Sequence, residues 1–178
     1  MSCTSTASRS ASGSAWRLSS MTAEPARTGA VSAAPAAGAG VSGAVDGGAK
    51  LLAGGEADEH GLIRPTLLGD VDLDMQVSCR EVFGPVVTLA RVSDVEEAVE
   101  KANGTDYGLQ AGIFTQDISR AMWAAQALDF GGVTVNEAPT WRADHMPYGG
   151  VKESGNTREG PKYAVQEMTE PRLVVIGY

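Results

Sequence analysis

From residue 85 to residue 136 the apolar residues switch repeatedly between strand-like and helical spacing, and that alternation limits what this chain can fold into. Residues 85–92 are Val-rich and nearly continuous in apolar character, the pattern of a strand buried on both faces. Ser93-x-x-Glu96 then has the form of a capping box. The serine oxygen would accept from the Glu96 N–H, and the Glu96 side chain would return to the Ser93 N–H. Val95, Ala98, Val99 and Ala102 recur at i, i+3, i+4 and i+7, one helical face, and Asn103-Gly104 ends it. Residues 111–114 read as a strand. A second helix opens at Asp117, with Ile118, Ala121, Met122, Ala125 and Leu128 on one face, and Gly131-Gly132 stops it. Val133-Thr134-Val135 is the next strand. This order and spacing predict parallel pairing with right-handed crossovers, an α/β fold built on a parallel βαβαβ sheet. Shorter strands are expected at 50–53 and 65–68, a helix at 160–167 and a last strand at 171–176. Between them lies a loop punctuated by Pro139, Pro147 and Gly149-Gly150.

Residues 1–44 differ in kind. They are mostly Ser, Ala, Gly, Thr and Pro, with few large apolar groups. Such a segment does not bury enough apolar surface to offset its ordering entropy, so a low-complexity, disordered leader with at most a short helix is expected. Arg9, Arg17 and Arg27, abundant serine and a single acid, Glu24, also resemble a transit peptide loosely, and no secretory apolar region is present. Gly38-Ala39-Gly40-Val41-Ser42-Gly43 matches G-x-G-x-x-G, but Ala33-Ala34-Pro35-Ala36-Ala37 before it is no strand. A dinucleotide fingerprint needs that strand, so the match reads as chance.

With 178 residues the chain is long enough for one domain with a sizeable core. A net charge of -8 argues against nucleic acid and anionic membranes as partners. No apolar run approaches the roughly 20 residues a membrane span needs. Two cysteines, Cys3 and Cys79, make no disulfide framework, so a reducing cytoplasm is expected. Two histidines and two scattered cysteines supply no zinc spacing, and no metal is expected.

Glu81-Val82-Phe83-Gly84-Pro85 carries the most chemistry. On the residues alone, it reads as a surface glutamate before a buried phenylalanine. The alternative is a carboxylate that accepts from two neighbouring ribose hydroxyls, with Phe83 packed on a nicotinamide. Further on stand Asn103-Gly104-Thr105-Asp106-Tyr107-Gly108-Leu109, Phe114-Thr115-Gln116-Asp117, Gly132-Val133-Thr134-Val135-Asn136 and Pro147-Tyr148-Gly149-Gly150-Val151-Lys152-Glu153-Ser154-Gly155. In this order they resemble the E-x-F-G-P, N-x-T-x-Y-G-L, F-T-x-D, strand-to-loop and P-x-G-G-x-K-x-S-G signatures of the aldehyde dehydrogenase superfamily. The resemblance covers about 130 residues, the scale of one domain.

The resemblance implies a partial catalytic domain at 45–167 and an oligomerisation strand at 168–178, hence homo-oligomers. It implies NAD or NADP as cofactor, with Glu81 at the nicotinamide ribose and Phe83 by the ring. The loop at 137–146 would shape the entrance for an aldehyde substrate. There Trp141, Arg142 and His145 stand, and Arg142 with His145 would hold an anionic substrate head. The competing reading pairs Arg142 with Asp144 or Glu137. In this family a cysteine thiolate attacks the aldehyde, a hydride passes to the nicotinamide, and a glutamate activates water. No residue here is assigned a catalytic role. Cys79 lies beside Glu81, not in the family's upstream position, and reads as a small buried residue. Cys3 lacks the family's surrounding residues. The chain therefore reads as a truncated aldehyde-oxidising enzyme, inactive alone, or as a non-catalytic fragment or oligomerising partner. The likeness stops at Ala44-Val45, and the composition upstream is also what GC-rich codons give in a wrong frame; translating the encoding DNA in the other frames tests that origin. One departure is Thr157, where the family has glycine. A positive φ there would strain it.

Overall fold

The structure, a computed structural model, describes residues 4–9, 16–22, 34–60 and 62–178. Two strands come first, β1 (Thr4–Arg9) and β2 (Trp16–Thr22). Helix α1 (Ala34–Asp46), β3 (Lys50–Ala53), β4 (Thr66–Gly69) and the single turn α2 (Gln76–Cys79) follow. Next come β5 (Val86–Val92), α3 (Val95–Asn103), the two-residue β6 (Tyr107–Gly108) and β7 (Gln110–Phe114). Helix α4 (Ile118–Ala127), β8 (Gly132–Val135), the two-residue β9 (Val151–Lys152) and α5 (Pro161–Glu167) complete the order.

The main sheet runs β3-β4-β5-β2-β1-β7-β8, and β6 pairs β9 beside it. Strands β4 and β5 pair in parallel, as do β1 with β7 and β7 with β8. The pairs β3–β4, β1–β2 and β2–β5 are antiparallel. Two reversals separate β5 from β7, so β4, β5, β7 and β8 share one direction, as the alternating pattern predicts. Their adjacency differs from the simplest reading, because β2 and β1 lie between β5 and β7. Residues 4–9 and 16–22 therefore stand in the sheet, where composition predicted no regular structure. Backbone pairing accounts for this. The inner edges of β5 and β7 carry N–H and C=O groups that need partners, and any extended segment can supply them. The rest of 1–33 lies outside the described residues. The ordered part also begins before Val45, since Val41 and Ala44 on α1 pack in one core with Leu68, Val77, Val82 and Val86. The G-x-G-x-x-G match falls inside this helix, where the amides are spent on the helix ladder.

The second core cluster joins Val92, Val95, Ala98, Val99, Ile113 and Ala124. The four α3 residues expected to face inward are all buried. The cap, however, sits one residue later than the sequence suggests. Asp94 Oδ1 accepts from the Glu97 N–H (2.8 Å), and Glu97 Oε2 accepts from the Ser93 N–H (2.7 Å) and hydroxyl (2.8 Å). Lys101, one turn on, holds the other Glu97 oxygen at 2.8 Å. That ammonium first, then the Ser93 N–H and hydroxyl, draws the Glu97 carboxyl down to about 2. On α4 the face is rotated from the expected one. Ala121 and Ala124 are buried, while Ile118 is 72% and Met122 55% exposed. Close packing against Ile113 selects the small side chains rather than the largest apolar ones.

The expected last strand does not form in the single chain. Residues 168–178 carry no regular structure, and Leu173, Val174, Val175 and Ile176 are each at least 70% exposed. A strand needs a ladder partner, and no described strand of this chain pairs with these residues. No helix among the described residues is long and apolar enough to cross a membrane. Among the same residues no group of three or more His, Cys, Asp or Glu could hold a metal ion.

Candidate functional site

Alternation around Val82 sets the aim of Glu81 and Phe83. Val82 is buried in the core with Val77 and Val86, which turns its two neighbours away from the core. Two tight hydrogen bonds then fold the chain, Gly84 N–H to Val82 O and Val86 N–H to Gly84 O, both 2.9 Å. The Thr66 N–H donates to Pro85 O (2.8 Å) and pins the turn to the start of β4. Glu81 ends half-buried and Phe83 is 56% exposed, so the phenylalanine is not the buried residue that composition alone suggests. Among the described residues the Glu81 carboxylate has no hydrogen-bond or ion-pair partner. A carboxylate with free acceptor oxygens and an open aromatic ring thus stand two residues apart on a braced turn.

The second group leaves the other end of the sheet. Asn136 follows β8 with φ 57°, and its carboxamide accepts from Thr115 N–H (2.8 Å) and donates to Thr115 O (2.9 Å). A side chain thereby takes the place of one more backbone ladder pair, which frees the main chain to turn back. It crosses β7 where there is no side chain. A Cβ at Gly112 would lie 3.1 Å from Pro139 Cδ and 3.2 Å from Glu137 O. Beyond this crossing Trp141 (53% exposed), Arg142 and His145 face outward. Arg142 is engaged by a partner the sequence did not suggest. Its Nη2 lies 3.0 Å from Glu159 Oε2, and its guanidinium lies 4.6 Å over the Tyr148 ring. Neither Asp144 nor Glu137 takes it; Glu137 Oε1 accepts from the Ala138 N–H. Among the described residues no bond joins Glu81 or Phe83 to Trp141, Arg142 or His145, so the chain presents two separate groups.

The family model of the aldehyde dehydrogenase family matches residues 30–174. This chain belongs to the aldehyde dehydrogenase family. It is 52% identical over 133 residues to the 3-sulfolactaldehyde dehydrogenase of Priestia aryabhattai, a match covering 75% of this chain and 28% of that protein. Aldehyde dehydrogenase 21 of Physcomitrella patens, solved with the reaction product succinate, superposes with TM-score 0.75 at 46% identity, over 78% of this chain and 29% of that one. The glyceraldehyde-3-phosphate dehydrogenase of Methanocaldococcus jannaschii complexed with NADP gives TM-score 0.72 at 45% identity, over 76% and 29%. The chain thus spans about 28% of the length of the curated relative named here.

Within this aldehyde dehydrogenase fold, Cys79 sits on the last turn of α2, half-buried, with Sγ donating to Asp74 O (3.6 Å). Cys3 lies outside the described residues. Thr157 is not among the residues with positive φ; Gly155 and Gly160 take those conformations, so the departure at 157 brings no strain. The P-x-G-G-x-K-x-S-G motif serves architecture. Lys152 Nζ donates to Asn103 O (3.0 Å) and Thr105 O (3.2 Å), and Ser154 Oγ accepts from the Gly108 N–H (3.0 Å). Sequence reasoning missed the carboxamides of Asn103 and Asn136 and the acid Glu159. For Asn136 the available signal was an asparagine directly after Val133-Thr134-Val135, a residue that tolerates positive φ and mimics a peptide.

Proposed function

We propose that this chain supplies the nicotinamide-side wall and the substrate-entrance loop of an NAD(P)-dependent aldehyde dehydrogenase, which oxidises an aldehyde to a carboxylic acid. Turnover on this reading takes its cysteine nucleophile and its general base from outside the described residues. The observation that carries the reading is the unpartnered Glu81 carboxylate beside the exposed Phe83 ring, both aimed outward by buried Val82. This pair fits a ribose and a nicotinamide: two free acceptor oxygens for hydroxyls, and an apolar face for a ring. When bound, the cofactor accepts the hydride. The protein's own part is to hold its ribose and ring in place.

We further assign the entrance loop to an aldehyde with an anionic head. The relatives named above point that way in their own names: a sulfolactaldehyde, a succinate product and a glyceraldehyde phosphate. Arg142 is committed to Glu159, yet both side chains are about half exposed, and such a surface pair is worth only about 0–1 kcal/mol. Redirecting the guanidinium to a substrate anion therefore costs little, with His145 beside it on the same loop.

The test is a chimera in which residues 45–178 replace the matching segment of the Priestia enzyme. It is expected to oxidise 3-sulfolactaldehyde. In it, Glu81→Gln should lower kcat about tenfold or more, and Arg142→Ala should raise KM about tenfold for anionic aldehydes and leave neutral ones unchanged. A folded chimera without turnover would leave the other reading, a non-catalytic oligomerising partner. The bare apolar tail favours the oligomerising part of both readings. Its residues 171–176 would add to a sheet edge of a second copy. Light scattering should then show an oligomer for the chain and a monomer after removal of residues 171–178. An unchanged mass would reject the tail as the joint.

A further inference from the structure

Asn103, the last residue of α3, does work that aldehyde oxidation does not use. Its Nδ2 donates to Ala127 O (2.8 Å), the carbonyl of the last residue of α4, and its Oδ1 accepts from the Asp129 N–H (2.8 Å). One carboxamide thus ties the ends of the two helices together. The Asn103 carbonyl is held in turn by Lys152 Nζ at 3.0 Å, and the same ammonium lies 3.4 Å from Asp129 Oδ2. The next residue is Gly104.

An asparagine followed by glycine is chemically exposed, because no side chain on the following residue blocks its backbone nitrogen from the asparagine Cγ. That nitrogen attacks Cγ, the bond from Cγ to the side-chain nitrogen breaks, and ammonia leaves a five-membered succinimide. Water then opens the ring at either carbonyl and gives aspartate or isoaspartate. Water enters, ammonia departs and nothing is oxidised or reduced. In this fold both ends of the reaction are held. The Gly104 N–H donates to Glu100 O (3.0 Å) and Lys101 O (3.3 Å), and the leaving amide is bonded to Ala127 O. The carboxamide must turn away from α4 before its carbon can meet the Gly104 nitrogen.

We propose that Asn103-Gly104 is a deamidation site kept closed by the fold, which reacts with water when the clasp between α3 and α4 opens, and whose conversion releases that clasp. The carboxylate formed at position 103 has no N–H for Ala127 O, so two acceptors would face each other at hydrogen-bond distance. Isoaspartate would also lengthen the backbone by a methylene and shift the carbonyl that Lys152 holds. Each converted chain therefore opens more readily than an unconverted one. Asn136 and Asn156 are followed by Glu137 and Thr157, whose side chains obstruct the attack, so they serve as internal controls.

The experiment incubates the full chain in mildly alkaline buffer with and without concentrated urea, then follows the amide-to-acid mass change and isoaspartate by peptide mapping. In urea, Asn103 should convert faster than Asn136 and Asn156, and Gly104→Ala should remove that excess. In buffer, its conversion should be about tenfold slower or more, since local opening gates it. Asn103→Asp should lower the urea midpoint. Equal rates in buffer and urea, for a chain that circular dichroism shows to be folded, would overturn the proposal. So would conversion in urea no faster than at Asn156, or an Asn103→Asp midpoint equal to the parent's.

Discussion

Gly131→Ala is expected to cost about 4 kcal/mol or more and to leave the chain largely unfolded. A Cβ at Gly131 would lie 1.7 Å from Gly149 O, 2.8 Å from Gly149 C and 3.0 Å from Gly150 Cα. All three are backbone atoms, so no side chain can swing aside. The approach is also central to the site. Gly131 leads into β8 and donates its N–H to Gly108 O (3.0 Å), while Gly149 belongs to the returning limb of the loop that carries Trp141, Arg142 and His145. Pushing them apart detaches the loop from the sheet that braces it. Gly43→Ala is the contrast. It lies on α1 with nothing within 4 Å of the new methyl, so it should be neutral or gain about 0.5–1 kcal/mol. Urea midpoints of the two variants decide the matter. A Gly131→Ala midpoint close to the parent's would mean that the two segments do not touch.

The sequence-based reading located β3 over residues 50–53, where the structure has Lys50–Ala53. It also found the inward face of α3, because apolar period and burial are local to one element. It failed where a second element decides. The face of α4 follows from how near β7 lies, which favours Ala121 and Ala124 over Ile118 and Met122. The α3 cap slipped by one residue because Ser93 and Asp94 both offer an oxygen, and Glu97 had a lysine one turn on to fix it. Residues 4–9 and 16–22 hold sheet positions that their composition did not announce. The tail at 171–176 has a strand's sequence and, within this chain, no edge to pair with.

The site divides in the same way. The outward aim of Phe83 came only from the packing of Val82, whereas the Glu81-to-Pro85 motif, being contiguous, was legible. The Arg142 partner was not, since Glu159 lies 17 positions away and only the close return at Gly149 brings it near. Nor were the bonds from Asn136 to Thr115 and from Asn103 to Ala127, which join residues 21 and 24 apart. A polar side chain does not reveal a distant backbone partner through its own spacing.

The purified chain alone is expected to form no NADH or NADPH with any aldehyde, and Cys79→Ser is expected to change nothing. On the proposed reading covalent catalysis needs a thiolate, and losing such a nucleophile removes at least about 10⁴-fold of rate. Cys79 is badly placed to supply it. It is half-buried, and its Sγ is turned to Asp74 O. Arg80 is the one cation next to it in sequence, and among the described residues it forms no bond to the sulfur. A thiol in that setting should also react slowly with iodoacetamide, with a rate that rises once urea exposes it. Turnover by the chain that Cys79→Ser abolishes would make Cys79 the nucleophile after all. The Glu81 wall would then belong to an active site two residues long rather than to one assembled with another segment. A silent chain beside an active chimera separates these outcomes, because it leaves the wall intact and shows that the nucleophile and general base come from the other segment.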